Sequence, residues 1–279
     1  MSKFKNLKNS TVAATAGVLL SLWLGLSPRV ATRVYEANLM PRVRPERIGN
    51  VHSAQVSRVK FQSRGVELEA MYYKHPSAEK VVLYCGGRNT NFAKLCIPAR
   101  EFVELGLSVF TMEPEGHGDA VGRASLRSLV EGWLCAYDLL IPMGYDAQDI
   151  VIYGESLGAA AAAYVSERRE SAGLILQSGF SSLKCQIKEM IPLLAVYPSA
   201  MFPQPRLETD KSLRRGHPPL LILHGDEDDV VNVKHAHRLA AAAGDNTTLA
   251  ILQGAGHTSV HRRTDWRTAV SAFLDSLDK

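Results

Sequence analysis

"IVIYGESLGAA", residues 150–160, places Ser156 between Gly154 and Gly158, directly after an apolar run and directly before an alanine-rich one. The run "IVIY" reads as a buried strand, and "LGAAAAAYVSERR" reads as a helix. A strand that turns at once into a helix forces the corner residue into a strained backbone conformation, and flanking side chains would collide with the strand or the helix. Glycine at 154 and 158 removes those side chains, and Ala159–Ala163 let the helix start close against a sheet. A serine that only caps a helix needs no glycine two places on either side. The pattern G-x-S-x-G is weak alone; in this strand–turn–helix setting it marks Ser156 as a candidate nucleophile.

Similar runs surround it. An opening hairpin is expected from "RVKFQ" and "VELEAMYY" with Gly65 in the turn, followed by strands at "KVVLYC", "LSVFTME", "DIVIY", "GLILQS", "LLILHG" and "TLAILQ". Helical patterns fill the gaps at 93–105, 124–142, 157–168, 182–195, 231–243 and 264–277. This alternation predicts an α/β fold with a mostly parallel, eight-stranded sheet covered on both faces. In such a sheet the chemistry gathers at the carboxyl ends of the strands.

The chain has 279 residues, 46% hydrophobic and 22% charged, which is enough to fill one core. The folded domain is read as 55–279. The net charge of +4 is scattered, with no basic run interleaved with aromatics, so nucleic-acid binding is not expected. Cys85, Cys96, Cys135 and Cys185 form no CxxC pair and no ligand spacing with histidine, and are expected as free thiols.

At the amino terminus, Lys3, Lys5 and Lys8 precede an uncharged stretch from Ser10 to Ser27. Residues 1–28 therefore have the outline of an export signal or membrane anchor. Pro28 and Arg29 spoil the cleavage sites after the run, which favours a retained helical anchor, with Trp23 placed as an interfacial aromatic. Cleavage would instead make the protein secreted or periplasmic. Arg29, Arg33, Arg42, Arg44 and Arg47 match the lysines, so charge selects no orientation. Residues 29–54 read as a linker.

A serine nucleophile needs a base, and the base needs a carboxylate to hold its tautomer. His257, in "LQGAGHTSV", follows the last strand on a Gly-rich loop and can reach over the sheet edge. His117 in "EPEGHGDA" competes; His224, His235 and His237 are read as packing or solvated, and His261 as a surface residue. The acid is expected after the penultimate strand, where "LLILHGDEDDVV" offers Asp226, Glu227, Asp228 and Asp229, with Asp228 and Asp229 nearly tied. The oxyanion needs preorganised N–H donors: Leu157, at a helix N-terminus, and one from "CGGRNTN", where Gly86 and Gly87 bring the backbone close.

With Ser, Asp and His in this order after successive strands, the sequence resembles the α/β-hydrolase superfamily over about residues 55–277. It looks most like membrane-tethered, small-cap serine hydrolases of the α/β-hydrolase-domain type. The resemblance maps "HGxxD" onto "HGDED", which selects Asp228, and "GxGH" onto "GAGH" and His257. It maps an oxyanion donor onto Gly87, although Cys85-Gly86 stands where the family has His-Gly. Glu115 takes the place of the family's Arg in the "EPEGHGDA" turn, and Asp119-Ala120 replaces its small polar ending.

The resulting expectation is hydrolysis of a carboxylic ester or thioester through an acyl-enzyme, with no metal or organic cofactor required. Ser156 rules out the aspartate-nucleophile relatives. The segment 179–217, containing "IKEMIPLLAVYPSAMF", reads either as a helix packed on the sheet or as a short cap apolar enough to cover an acyl pocket, and the cap reading points to lipid-like or acylated substrates. Two other readings share the fold: a serine peptidase, and a non-enzymatic membrane-tethered binding protein.

Overall fold

Apolar runs form the centre of the sheet. Strands β3 (Val81–Cys85), β4 (Ser108–Met112), β6 (Gly173–Gln177) and β7 (Leu220–Gly225) are buried along their whole length, and β5 (Ile150–Glu155) is buried except at Glu155. Strands covered on both faces have no solvent side to reserve for polar residues, hence the unbroken runs. The structure, a computed structural model, describes residues 51–278 except 52, 89, 90, 119, 193–197, 199–201 and 203. The expected anchor at 1–28, and all of the linker up to residue 50, lie outside the described residues. Among the described residues no helix is long and apolar enough to cross a membrane.

The sheet has eight strands in the order β1-β2-β4-β3-β5-β6-β7-β8. β1 (Gln55–Ser63) and β2 (Val66–Lys74) form the hairpin, with Ser63 opposite Val66, and Arg64 and Gly65 both at positive φ in its two-residue turn. β2 pairs antiparallel with β4, and from β4 to β8 (Thr247–Leu252) all pairs are parallel. The antiparallel entry through β4 is a long-range pairing that no local pattern encodes.

Side-chain alternation along the strands divides the core in two. Leu83, Ile152, Leu176 and Ile222 pack with α2 (Leu126–Leu140), α3 (Leu157–Ser166), α4 (Leu183–Met190), α5 (Thr209–Arg215) and α6 (Lys234–Ala243). Tyr84, Tyr153, Ile175 and Leu221 pack with α1 (Phe92–Glu104) and α7 (Thr264–Ser276). Under those two helices, Tyr84 stacks on Tyr153 at 4.8 Å between ring centroids, and Phe102 stands edge-on to Tyr153 and Trp266. Trp266 also donates its indole N–H to Gln177 Oε1 at 2.9 Å. Truncating a buried aromatic of this kind costs about 3–5 kcal/mol.

Two helix expectations are corrected. The helix expected from 231 begins at Lys234, because Asp228 and the residues after it form a turn first. Inside the expected cap, α5 was not anticipated: "TDKSLRR" has no apolar period, and it buries only Thr209, Ser212 and Leu213. The expected helix 182–195 is seen as Leu183–Met190, and much of the chain after it is outside the described residues.

Candidate active site

At the elbow, β5 ends at Glu155 and α3 begins at Leu157, leaving Ser156 with φ 55° and ψ −117°. That is the strained, positive-φ region for a residue with a side chain. Crowding explains the neighbours: a Cβ on Gly158 would lie 2.0 Å from the Cys85 carbonyl oxygen, and one on Gly154 would lie 2.4 Å from the Gly158 carbonyl oxygen. Both obstacles are backbone and cannot swing aside. Three other helices, α1, α2 and α4, use conventional caps, with Asn91, Ser125 and Ser182 each accepting a backbone N–H in the first turn, while α5, α6 and α7 start without a side-chain cap. Ser156 occupies the same position on α3 and makes no such bond, so its hydroxyl is left for other work.

The acid and base loops are tied together before either reaches Ser156. Asp226 N–H donates to the Leu252 carbonyl, Glu227 N–H to the Ala255 carbonyl, and Gly254 N–H to Asp226 Oδ1 at 2.6 Å. Gly225 is required here, since a Cβ on it would lie 2.0 Å from the Ala255 carbonyl oxygen. On this platform His257 Nδ1 donates to Asp228 Oδ2 at 2.7 Å, and His257 Nε2 faces Ser156 Oγ at 3.0 Å. A carboxylate only accepts, so Nδ1 carries the proton and Nε2 is the acceptor for the serine hydroxyl.

Asp228 is 8% exposed, whereas Asp229 is exposed to solvent. Asp228 Oδ1 accepts the N–H groups of Val230 and Val231 at 2.9 and 2.8 Å. Burial alone would push its carboxyl up. The hydrogen bonds from His224 and His257, the Val231 N–H and the charge of His257 outweigh that and hold it well below the usual carboxylate range. His224 was read as packing; it is fully buried, with Nε2 2.7 Å from the Val231 carbonyl oxygen and 3.3 Å from Asp228 Oδ2. The only sequence hint was its place in "HGDED".

Ser156 and His257 open onto a cleft of about 640 Å³ lined also by Tyr84, Gly87, Arg88, Lys94, Glu155 and Val230. A Cβ on Gly87 would lie 3.2 Å from Ser156 Cβ and 3.1 Å from the Glu155 carbonyl oxygen, so the loop after β3 lies directly against the elbow. On the other side is Leu157, whose N–H has no partner among the described residues. Tyr84 OH donates to Glu155 Oε2, fixing the carboxylate next to Ser156. The cleft roles of Tyr84, Glu155 and Arg88 carried no motif that sequence reasoning could use.

His261 is a correction. It is only 9% exposed and lines the cleft, because the 3-10 turn Val260–Arg262 rotates it inward. His117, the competing base, is 2% exposed and held in its own turn, its backbone N–H donating to the Pro114 carbonyl at 2.9 Å. His235 is fully buried and bonds Ser181 and Glu189. All four cysteines are free thiols.

Comparisons with known proteins agree with this architecture. The family model described as "Serine aminopeptidase, S33" matches residues 76–217. The chain is 31% identical over 196 residues to an uncharacterized protein of Mycobacterium tuberculosis, covering 69% of each chain. It is 26% identical over 219 residues to alpha/beta hydrolase domain-containing protein 17B of Xenopus laevis, covering 76% of this chain and 72% of that one. Among solved structures, a Pyrococcus furiosus esterase superposes with a TM-score of 0.69 at 17% identity, covering 86% of this chain and 97% of that one. The Pyrococcus horikoshii acylaminoacyl peptidase superposes with a TM-score of 0.62 at 15% identity, over 82% of this chain and 42% of that one. With its sheet order, elbow and loop placement alongside these matches, the chain belongs to the serine aminopeptidase S33 family of the α/β-hydrolase superfamily.

Proposed function

We propose that this protein is a serine hydrolase that cleaves a carboxylic ester or thioester through an acyl-enzyme. The observation that carries this reading is the unbroken chain from Asp228 through His257 to Ser156 at the floor of an open cleft. Ser156 Oγ attacks the substrate carbonyl while its proton passes to His257 Nε2. Asp228 stabilises the imidazolium that forms, and the Gly87 and Leu157 N–H groups receive the oxyanion. The proton then goes from His257 to the leaving alcohol or thiol, and a water activated by the same imidazole releases the acid. Leu95, Ile97, Pro98 and Val230 give the cleft an apolar wall suited to an acyl chain. The test is labelling with a fluorophosphonate probe, with and without Ser156→Ala, followed by a chain-length series of p-nitrophenyl esters. Labelling that survives in Ser156→Ala counts against the serine-hydrolase reading, and activity restricted to acetate counts against an acyl-chain substrate.

A peptidase reading is favoured by the family description and by Glu155, a carboxylate beside Ser156 that could meet a peptide amino terminus. Aminoacyl p-nitroanilides cleaved faster than esters would establish it. For the amino terminus, the uncharged run of residues 10–27 supports tethering of the domain to a membrane. Retention of the full chain in the membrane fraction after carbonate washing is the expected result; release into the wash would favour the binding of a soluble or exported form.

A further inference from the structure

The cleft carries more positive charge than the chemistry at Ser156 uses. Arg88 immediately follows Gly87, whose backbone lies against the elbow, and it lines the cleft at the edge of the candidate oxyanion loop. Most arginines of the described residues face a carboxylate, as Arg58 faces Glu69, Arg127 faces Glu131 and Arg169 faces Asp138. Arg88 is exposed and has no carboxylate partner among the described residues. Lys94, in the first turn of α1, lines the same cleft. The one carboxylate among the described lining residues, Glu155, has Oε2 occupied by Tyr84 OH. Arg88, with Lys94 and Glu155 in the same lining, thus borders an apolar wall of Leu95, Ile97, Pro98 and Val230.

From this juxtaposition we propose that the preferred substrate is an ester or thioester bearing a negatively charged oxyacid group, carboxylate or phosphate, which Arg88 holds with Lys94 beside it. The proposal rests on the serine-hydrolase reading above and names the substrate class of that same site. An arginine fork matches the planar or tetrahedral oxygens of such groups, and a cleft with low-dielectric walls strengthens the pairing. An exposed arginine elsewhere on the surface would be solvated; this one lines the same cleft as Ser156.

The experiment compares kcat/KM for matched pairs of esters. The acyl-side pair is p-nitrophenyl hydrogen glutarate against p-nitrophenyl valerate, and the alcohol-side pair is 1-butyryl-glycerol 3-phosphate against 1-butyrylglycerol. In at least one pair the anionic ester is expected to be preferred about tenfold. The preference should fall about fivefold or more in Arg88→Ala and Arg88→Gln, mainly through KM, be partly kept in Arg88→Lys, and shrink between low and high salt. Which pair responds tells whether the charge sits on the acyl or the alcohol side. A ratio of one or less in both pairs, or one that Arg88→Ala and Arg88→Gln leave unchanged, overturns the proposal. Fluorophosphonate labelling run in parallel separates the two claims: labelling without turnover of any of the esters overturns this substrate class and leaves an activated Ser156, while neither labelling nor turnover overturns both.

Discussion

Two hydrogen-bonded Ser–His–acid chains occur among the described residues, and only one has the surroundings expected of a reactive centre. In the first, Ser156 meets His257 Nε2 at 3.0 Å and His257 Nδ1 meets Asp228 at 2.7 Å. In the second, Ser181 Oγ lies 2.9 Å from His235 Nδ1, and His235 Nε2 lies 3.1 Å from Glu189. The second chain differs in everything around it. Ser181 is 3% exposed, and its own backbone N–H also donates to His235 Nδ1 at 3.0 Å. Its acid is 41% exposed and shared with Arg238. The first chain has a strained serine opening onto a cleft, an N–H donor on α3 beside it, and an acid held by four donors in a buried turn. Residue types and distances are therefore insufficient; exposure of the serine and burial of the acid distinguish chemistry from cross-bracing.

The largest test of this contrast is Ser156→Ala, expected to abolish fluorophosphonate labelling and lower ester hydrolysis by about 10⁴-fold or more. Asp228→Asn should follow at about 10²- to 10⁴-fold, because the amide reverses the polarity that His257 Nδ1 needs. His224→Phe removes one of the donors to Asp228, and about a tenfold loss in kcat is expected with the protein still folded by circular dichroism. In the second chain, His235→Leu is expected to reduce stability by about 1–3 kcal/mol in urea titration while the folded protein still labels. If Ser181→Ala instead abolished labelling, the distinction between the two chains would collapse.

The smallest effect is one of pH. Burial lowers both His117 and His235 below the usual histidine value of 6.5. Below that value the unfolded chain binds protons that the folded protein does not, so stability is full above it and falls as the pH drops toward the lowered folded values. A thermal unfolding midpoint that declines from pH 7.5 to 5.5, less so in His235→Leu, is the expected result; a flat profile would mean that these histidines take up protons in the folded protein as readily as in the unfolded chain.

The sheet and the elbow were legible because fully buried strands leave continuous apolar runs and because a sharp turn demands glycine at fixed offsets. Ser156, His257 and the loop holding Asp228 followed from their order after those strands. The choice between Asp228 and Asp229 needed the resemblance, since position along a loop says little about which carboxylate turns inward. His261 was misread because a 3-10 turn obeys no helical period, and α5 was missed because a short helix burying small polar residues leaves no stripe. Arg88 and Glu155 became meaningful only when folding placed both in one cleft.

The stitching of the Asp226–Asp228 turn to the Leu252–His257 loop has an engineering consequence. Acid and base behave as one transplantable cassette, built on Gly225 and the Ala255 carbonyl, and not as two exchangeable loops. A chimera that takes one loop from a relative without the other would lose the crosslinks that set the 2.7 Å contact, whereas exchanging both together carries the Asp228–His257 hydrogen bond over with them. Loop shuffling in this scaffold has therefore to be done in pairs, leaving the apolar cleft wall of α1 as a part that can be varied singly.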